Sequence, residues 1–139
     1  MGDKIHLEVV TPERRVFTAE VDSVEVPGLD GEIGILAGHA RLFSQLKPAG
    51  LLTYRVAEEK GEMAISDGFV EVTSDRVTVL ADRACRPEDI DLAGALEVKG
   101  QAERQVLRAM TDPDVDILRA TVELERATIE AALAQRARR

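Results

Sequence analysis

The sequence predicts an α+β protein of two domains, an antiparallel β-sandwich over residues 1–86 followed by an antiparallel two-helix hairpin over residues 87–139. Three observations carry this expectation. Composition breaks at Pro87: 11 of the 15 Val, 8 of the 10 Gly and all four aromatics (Phe17, Phe43, Tyr54, Phe69) precede it, and 10 of the 18 Ala follow. Valine and aromatics suit half-buried strands, whereas alanine is the best helix former. Apolar residues recur at every second position in the first part and at intervals of three and four in the second. Turn-forming residues cut the first part into short runs, which is the punctuation of an all-β domain.

Ile5, Leu7 and Val9 alternate with Lys4, His6 and Glu8, the period of two that places one strand face in a core and the other in water. The same alternation returns at Val24 and Val26, Met63 and Ile65, Val70 and Val72, and Val77 and Val79. Thr11-Pro12-Glu13-Arg14, Glu58-Glu59-Lys60-Gly61, Ser66-Asp67-Gly68 and Thr73-Ser74-Asp75-Arg76 read as the turns between these runs. Pro87 followed by Glu88, Asp89 and Asp91 reads as the start of a helix that continues to about Met110. Asp112 before Pro113 repeats the signal, with Asp112 as the expected cap of a second helix running to the end. Ile117, Ala120, Leu124, Ala127, Ala131 and Ala134 form a seam on that helix, matched by Ala95, Ala102 and Ala109 on the first. A linker of about four residues makes the two helices antiparallel.

Composition excludes several functions. The formal net charge is −8, shared as −5 before Pro87 and −3 after it, and four aromatics without Trp offer few stacking platforms, so nucleic acid is not an expected partner. One cysteine, Cys85, and two histidines cannot furnish a disulfide or a zinc cluster. No apolar run reaches the length of a membrane span and the first fifteen residues lack a signal-peptide pattern, which leads to the expectation of a cytoplasmic chain.

The glycine-rich segment 28–39 (GLDGEIGILAGH) lacks both the GxGxxG spacing and a Gly-Lys-Ser/Thr ending, so turns account for it better than a phosphate loop does. His39 has no Ser or Cys nucleophile in a recognisable elbow. His6 reads as a solvated strand residue, and Cys85 as a small residue at a domain edge despite Arg83 and Arg86 beside it. The acidic run Glu88, Asp89, Asp91 is accounted for by helix-start preference without a metal. Arg136, Arg138 and Arg139 suit a helix C-terminus and equally suit an acidic partner surface. The residues support no catalysis, and two readings of different class stand: an interaction subunit, or a free-standing sandwich module whose hairpin is a dimerisation handle. A third, a small hydrolase using His39, lacks a nucleophile.

Three stretches, 6–17 (HLEVVTPERRVF), 31–42 (GEIGILAGHARL) and 66–84 (SDGFVEVTSDRVTVLADRA), resemble the epsilon subunit of bacterial F-type ATP synthase, in the order sandwich then alanine-rich hairpin. The resemblance implies a ten-stranded sandwich and a hairpin that form a non-catalytic rotor subunit of a proton-translocating enzyme. Such a subunit binds the gamma subunit and the c ring at the cytoplasmic face of the membrane, peripheral to it. Its hairpin restrains ATP hydrolysis by extending toward the catalytic beta subunits. Glu32 falls at the family's ring-facing loop position, and Gly34, Gly38 and His39 match the loop's pattern. Arg119, Arg126, Arg136, Arg138 and Arg139 are the implied contacts of the regulatory helix. Members that bind ATP on the hairpin carry Ile/Leu-Asp-x-x-Arg-Ala. Here Ile90, Asp91 and Ala95 match and Arg126 matches a further contact, but Gly94, Gln101 and Glu130 stand where cations are expected. No resident cofactor is implied, and ATP is a doubtful regulatory ligand.

Overall fold

Among residues 3–138, which the computed structural model describes, eight strands are followed by two helices. The strands are β1 (Ile5–Val10), β2 (Arg15–Val21), β3 (Ser23–Gly28), β4 (Gly31–Leu36), β5 (Leu42–Gln45), β6 (Gly50–Val56), β7 (Glu59–Val72) and β8 (Arg76–Cys85), and the helices are α1 (Leu92–Ala109) and α2 (Ile117–Ala137). The chain divides into two units, Met1–Arg86 and Pro87–Arg139.

The strands form one hydrogen-bonded path, β2-β1-β8-β7-β6-β3-β4, with β5 also paired to β7. The path coils back on itself. Phe17 on β2 meets Tyr54 on β6 with ring centroids 4.9 Å apart, although β1, β8 and β7 separate those strands in the hydrogen-bonded order. The inward faces close on one core, drawn from Ile5, Leu7 and Val9 of β1, Val24 and Val26 of β3, Leu52 of β6, Ile65 and Val70 of β7 and Val77 and Val79 of β8. Each such side chain contributes about 1.5–3 kcal/mol by leaving water. The alternation read from the sequence is the alternation of burial along β1, inward at 5, 7 and 9.

Two sandwich expectations are corrected. The described residues hold eight strands rather than ten, and β1 pairs β8 in parallel, so the sandwich is mixed rather than wholly antiparallel. The missing reversal is at Ser66-Asp67-Gly68, which bends β7 without ending it. Asp67 (φ 54°) and Gly68 (φ 116°) both take positive φ. β8 stays paired on either side of them (Ser66↔Arg83, Gly68↔Ala81), while the other edge of β7 changes neighbour, from β6 along 59–65 to β5 along 69–72. Asp and Gly supply positive φ, which serves a corner as well as a reversal. The bend is fixed by Leu46 N–H donating to the Gly68 carbonyl (2.9 Å) and Asp67 N–H to the Lys47 carbonyl (3.0 Å).

The second unit opens with a 3-10 turn, Pro87–Asp89, and α1 begins only at Leu92, capped by Asp91, whose Oδ2 accepts from Gly94 N–H at 3.0 Å. Pro87 therefore starts the turn and not the helix. Asp112 is likewise not the cap of α2. Its Oδ1 accepts from Asp114 N–H at 2.9 Å and shapes the linker, and Asp116 caps α2 by accepting from Leu118 and Arg119 N–H. A residue before proline is already extended, and Asp112 uses that geometry for a turn. Ala120, Ala127, Ala131 and Ala134 of the expected seam are buried, as is Ala102 of α1, whereas Ile117 lies exposed in the first turn of α2.

Candidate functional site

Strands β3 and β4 form a hairpin closed by Gly28 opposite Gly31, with Leu29 and Asp30 at its tip. Ile33 and Ile35 point inward, which leaves Glu32, Gly34 and Leu36 on the outer face of β4. Glu32 lies opposite Pro27, and Gly34 opposite Glu25. The Glu32 carboxyl is held above the usual carboxylate range, chiefly by partial loss of hydration; the Lys47 ammonium opposes this and the Glu25 carboxylate reinforces it. A Cβ at Gly34 would meet nothing within 4 Å, and the strand there floors an open cleft of about 280 Å³ with Glu25, Leu36, Thr53 and Arg55 among its walls.

Gly38 and His39 lie past the other end of β4. Gly38 takes φ 82° and donates its N–H to the Ser74 carbonyl at 2.8 Å; His39 Nδ1 donates to the Ala40 carbonyl at 2.6 Å. β4 is extended only to Leu36, about 13 Å from Glu32 at ~3.3 Å per residue, and a turn closed by His39 N–H donating to the Leu36 carbonyl at 3.1 Å then carries Gly38 and His39. Glu32 and Gly34 thus lie on β4 itself, and Gly38 and His39 in the turn that follows it.

On the hairpin, Asp91 is engaged as the α1 cap, and Ala95 N–H donates to its carbonyl at 2.9 Å. Ile90 is buried. Arg126 is held by Glu123 on its own helix, Nη1 to Oε1 at 3.1 Å. Arg119 lines an open groove between the helices together with Ala102, Gln105, Asp116, Ala120 and Glu123, so its surroundings are partly acidic. Arg136 is exposed on the last turn of α2, and Arg138 donates to two backbone carbonyls, Ala134 and Ile90. Arg139 lies outside the described residues. The arginines implied as regulatory contacts are therefore spread along α2 rather than gathered at one point. Glu130, where a cation was expected, is buried.

A third feature is missing from the reading of the sequence. Phe43 of β5 and Phe69 of β7 stack with centroids 5.3 Å apart while remaining 64% and 43% exposed, and Leu80 of β8, directly opposite Phe69, is 46% exposed. Parity predicts it: Val70 and Val72 point inward, so Phe69 must point out. An outward aromatic on an alternating strand is the signal that could have found this patch. Among the described residues no group of three or more His, Cys, Asp or Glu could hold a metal ion, and no helix is long and apolar enough to cross a membrane.

Two family patterns match end to end: ATP synthase, Delta/Epsilon chain, beta-sandwich domain over residues 4–87, and ATP synthase, Delta/Epsilon chain, long alpha-helix domain over residues 88–135. Among curated relatives, an ATP synthase epsilon chain of Dehalococcoides mccartyi is 40% identical over 136 residues, which is 98% of this chain and 96% of the relative. The ATP synthase epsilon chain of Carboxydothermus hydrogenoformans is 46% identical over 108 residues, 78% of this chain and 80% of the relative. Among solved structures, a chain of the Euglena gracilis mitochondrial ATP synthase assembly of OSCP, F1 and c-ring superposes with a TM-score of 0.76 at 26% identity, covering 96% of this chain and 83% of that one.

Proposed function

The chain belongs to the delta/epsilon-chain family of ATP synthase, and from that premise we propose that it is a non-catalytic central-stalk subunit that turns with the rotor. The observation that carries this is the likeness of both units, in order and over 96% of the chain, to one chain of an assembly containing F1 and the c-ring. In this reading the Glu32–Gly34 patch faces the c ring and the hairpin restrains ATP hydrolysis when it extends toward the catalytic beta subunits. The gamma subunit occupies the apolar patch of Phe43, Phe69 and Leu80, since exposed apolar clusters of this kind are the usual mark of a partner surface. The chain is then peripheral to the membrane, on its cytoplasmic face, through the complex alone.

Nucleotide sensing is not part of this proposal. ATP needs charge-assisted donors, and Gly94, Gln101 and Glu130 replace three candidate cations, while Arg126 is already paired with Glu123. Titrating isotope-labelled chain with millimolar ATP is expected to leave the amides of Asp91 and Arg126 unmoved; saturable shifts at micromolar ATP would refute this. For the rotor role, tagged chain expressed in its own cells should bring down gamma and c subunits from solubilised membranes. Recovery as a homodimer free of both would favour the free-standing module instead.

A further inference from the structure

The two helices of the hairpin are joined covalently at one end by residues 110–116. At the other end the side chain of Arg138 reaches across from the end of α2 to the entry of α1. Arg138, just past the last turn of α2, sends Nη1 to the Ala134 carbonyl at 2.8 Å and Nη2 to the Ile90 carbonyl at 2.6 Å, across 48 residues of sequence. We propose that Arg138 is a releasable latch that holds the end of α2 against the entry to α1 and so keeps the hairpin closed.

Both acceptors lie outside the regular helical ladder. Ala134 belongs to the last turn of α2, where the Arg138 N–H that would serve it four residues on goes instead to the Gln135 and Arg136 carbonyls. Ile90 precedes the Asp91 cap, and the first bonds of α1 run to the carbonyl and carboxylate of Asp91. The planar fork of a guanidinium can satisfy two carbonyls at once, and its charge suits the negative end of the α2 dipole. Around the latch Ala131 and Ala134 bury little apolar area each while Leu133 and Ile90 supply the larger buried side chains, and the two charged hydrogen bonds of Arg138 add a directional tie between the end of α2 and the entry to α1. Arg138 itself is exposed and its bonds are only partly buried, so water can compete for them. The last turn of a helix and an irregular entry segment are also where local opening is least costly.

The latch stands on the geometry of the hairpin. Its regulatory consequence rests on the proposal that the extended hairpin inhibits, and the test separates the two. Hydrogen exchange of the isolated full chain is compared for wild type, Arg138→Ala, Arg138→Lys and Arg104→Ala, with the β7 and β8 amides as an internal measure of an intact sandwich. Arg138→Ala should lower protection of the last two turns of α2 and the first turn of α1 by about tenfold to a hundredfold, the worth of hydrogen bonds to a charged group. Arg138→Lys should recover only part of it and Arg104→Ala, at an exposed position in the middle of α1, should leave it unchanged. Equal protection in Arg138→Ala and wild type, or an equal loss in Arg104→Ala, overturns the latch. In the assembled enzyme, Arg138→Ala should then deepen inhibition of ATP hydrolysis. Lost protection without deeper inhibition would uphold the latch and refute inhibition by extension.

Discussion

Replacing Gly68 by alanine tests the corner of β7 at its tightest point. A Cβ on Gly68 would stand 1.9 Å from the Leu80 carbonyl oxygen and 2.9 Å from Ala81 Cα. Both obstacles are backbone atoms of β8, locked by the Gly68↔Ala81 pairing, so no side chain can rotate aside. The position also takes φ 116°, a region that costs an L-residue about 1–3 kcal/mol. Forcing the strands apart adds about 1–3 kcal/mol of overpacking. Together the substitution should remove about 4 kcal/mol, a large share of the ~5–15 kcal/mol available to an ordinary domain. For a domain the size of residues 1–86 that lowers the melting temperature by roughly 15–30 °C. Urea unfolding of Gly68→Ala and of Gly34→Ala, measured side by side, provides the assay. Gly34 has open space around its missing Cβ, and its variant should stay within about 0.5 kcal/mol of wild type. A Gly68→Ala midpoint within about 1 kcal/mol of wild type would refute the argument that this corner admits only glycine.

Other perturbations have equally definite outcomes. Because the Glu32 pKa is raised in the fold, the proton is held more tightly there than in the unfolded chain; this contribution is present below the ordinary glutamate value and lost as pH rises through the folded value. Glu32→Gln should therefore match or exceed wild-type stability at pH 7, with the gap closing in acid, as read from denaturation midpoints across pH. Asp22 has the opposite sign: the hydrogen bond from Lys4 and then that from the Ala57 N–H hold its pKa down, so its contribution is present above the ordinary aspartate value and lost as pH falls through the folded one. Asp22→Asn should be less stable than wild type at pH 7 and equal to it in strong acid. Removing the cap in Asp91→Ala or Asp116→Ala should cost the hairpin about 1 kcal/mol each, read as lost helical circular dichroism on warming, while Asp112→Ala costs less because it caps no helix. Phe43→Lys should leave the sandwich stable yet weaken recovery of the gamma subunit; unaltered recovery would remove the aromatic patch from the proposed interface.

What the sequence made legible were the features carried by short-range pattern. Alternation along Ile5, Leu7 and Val9 is inseparable from burial of those residues, and the change in composition at Pro87 coincides with the boundary between the two units. Which of several aspartates caps a helix was not legible, because Asp91, Asp112 and Asp116 have the same local chemistry and the choice depends on where the following backbone turns. The parallel pairing of β1 with β8 was equally hidden, since no local signal links strands about seventy residues apart. Glu32 and Gly34 lie on β4 whereas Gly38 and His39 lie in the turn after it, a division set by where the strand ends and not visible in their spacing along the chain. The Phe43–Phe69 stack required knowing that β5 lies beside β7.

A body carried round by a rotor is loaded in shear, and two layers held only by interdigitated side chains can slide over one another under such a load. Strand β7 belongs to both parts of the wall, beside β6 for its first half and β5 for its second, with β8 alongside it for most of its length. Displacing one layer against the other therefore means stretching a covalent chain through the corner at Gly68, rather than merely unseating methyl groups. A shear load on this wall falls in part on the backbone of β7 and the ladder it shares with β8, and not on side-chain packing alone.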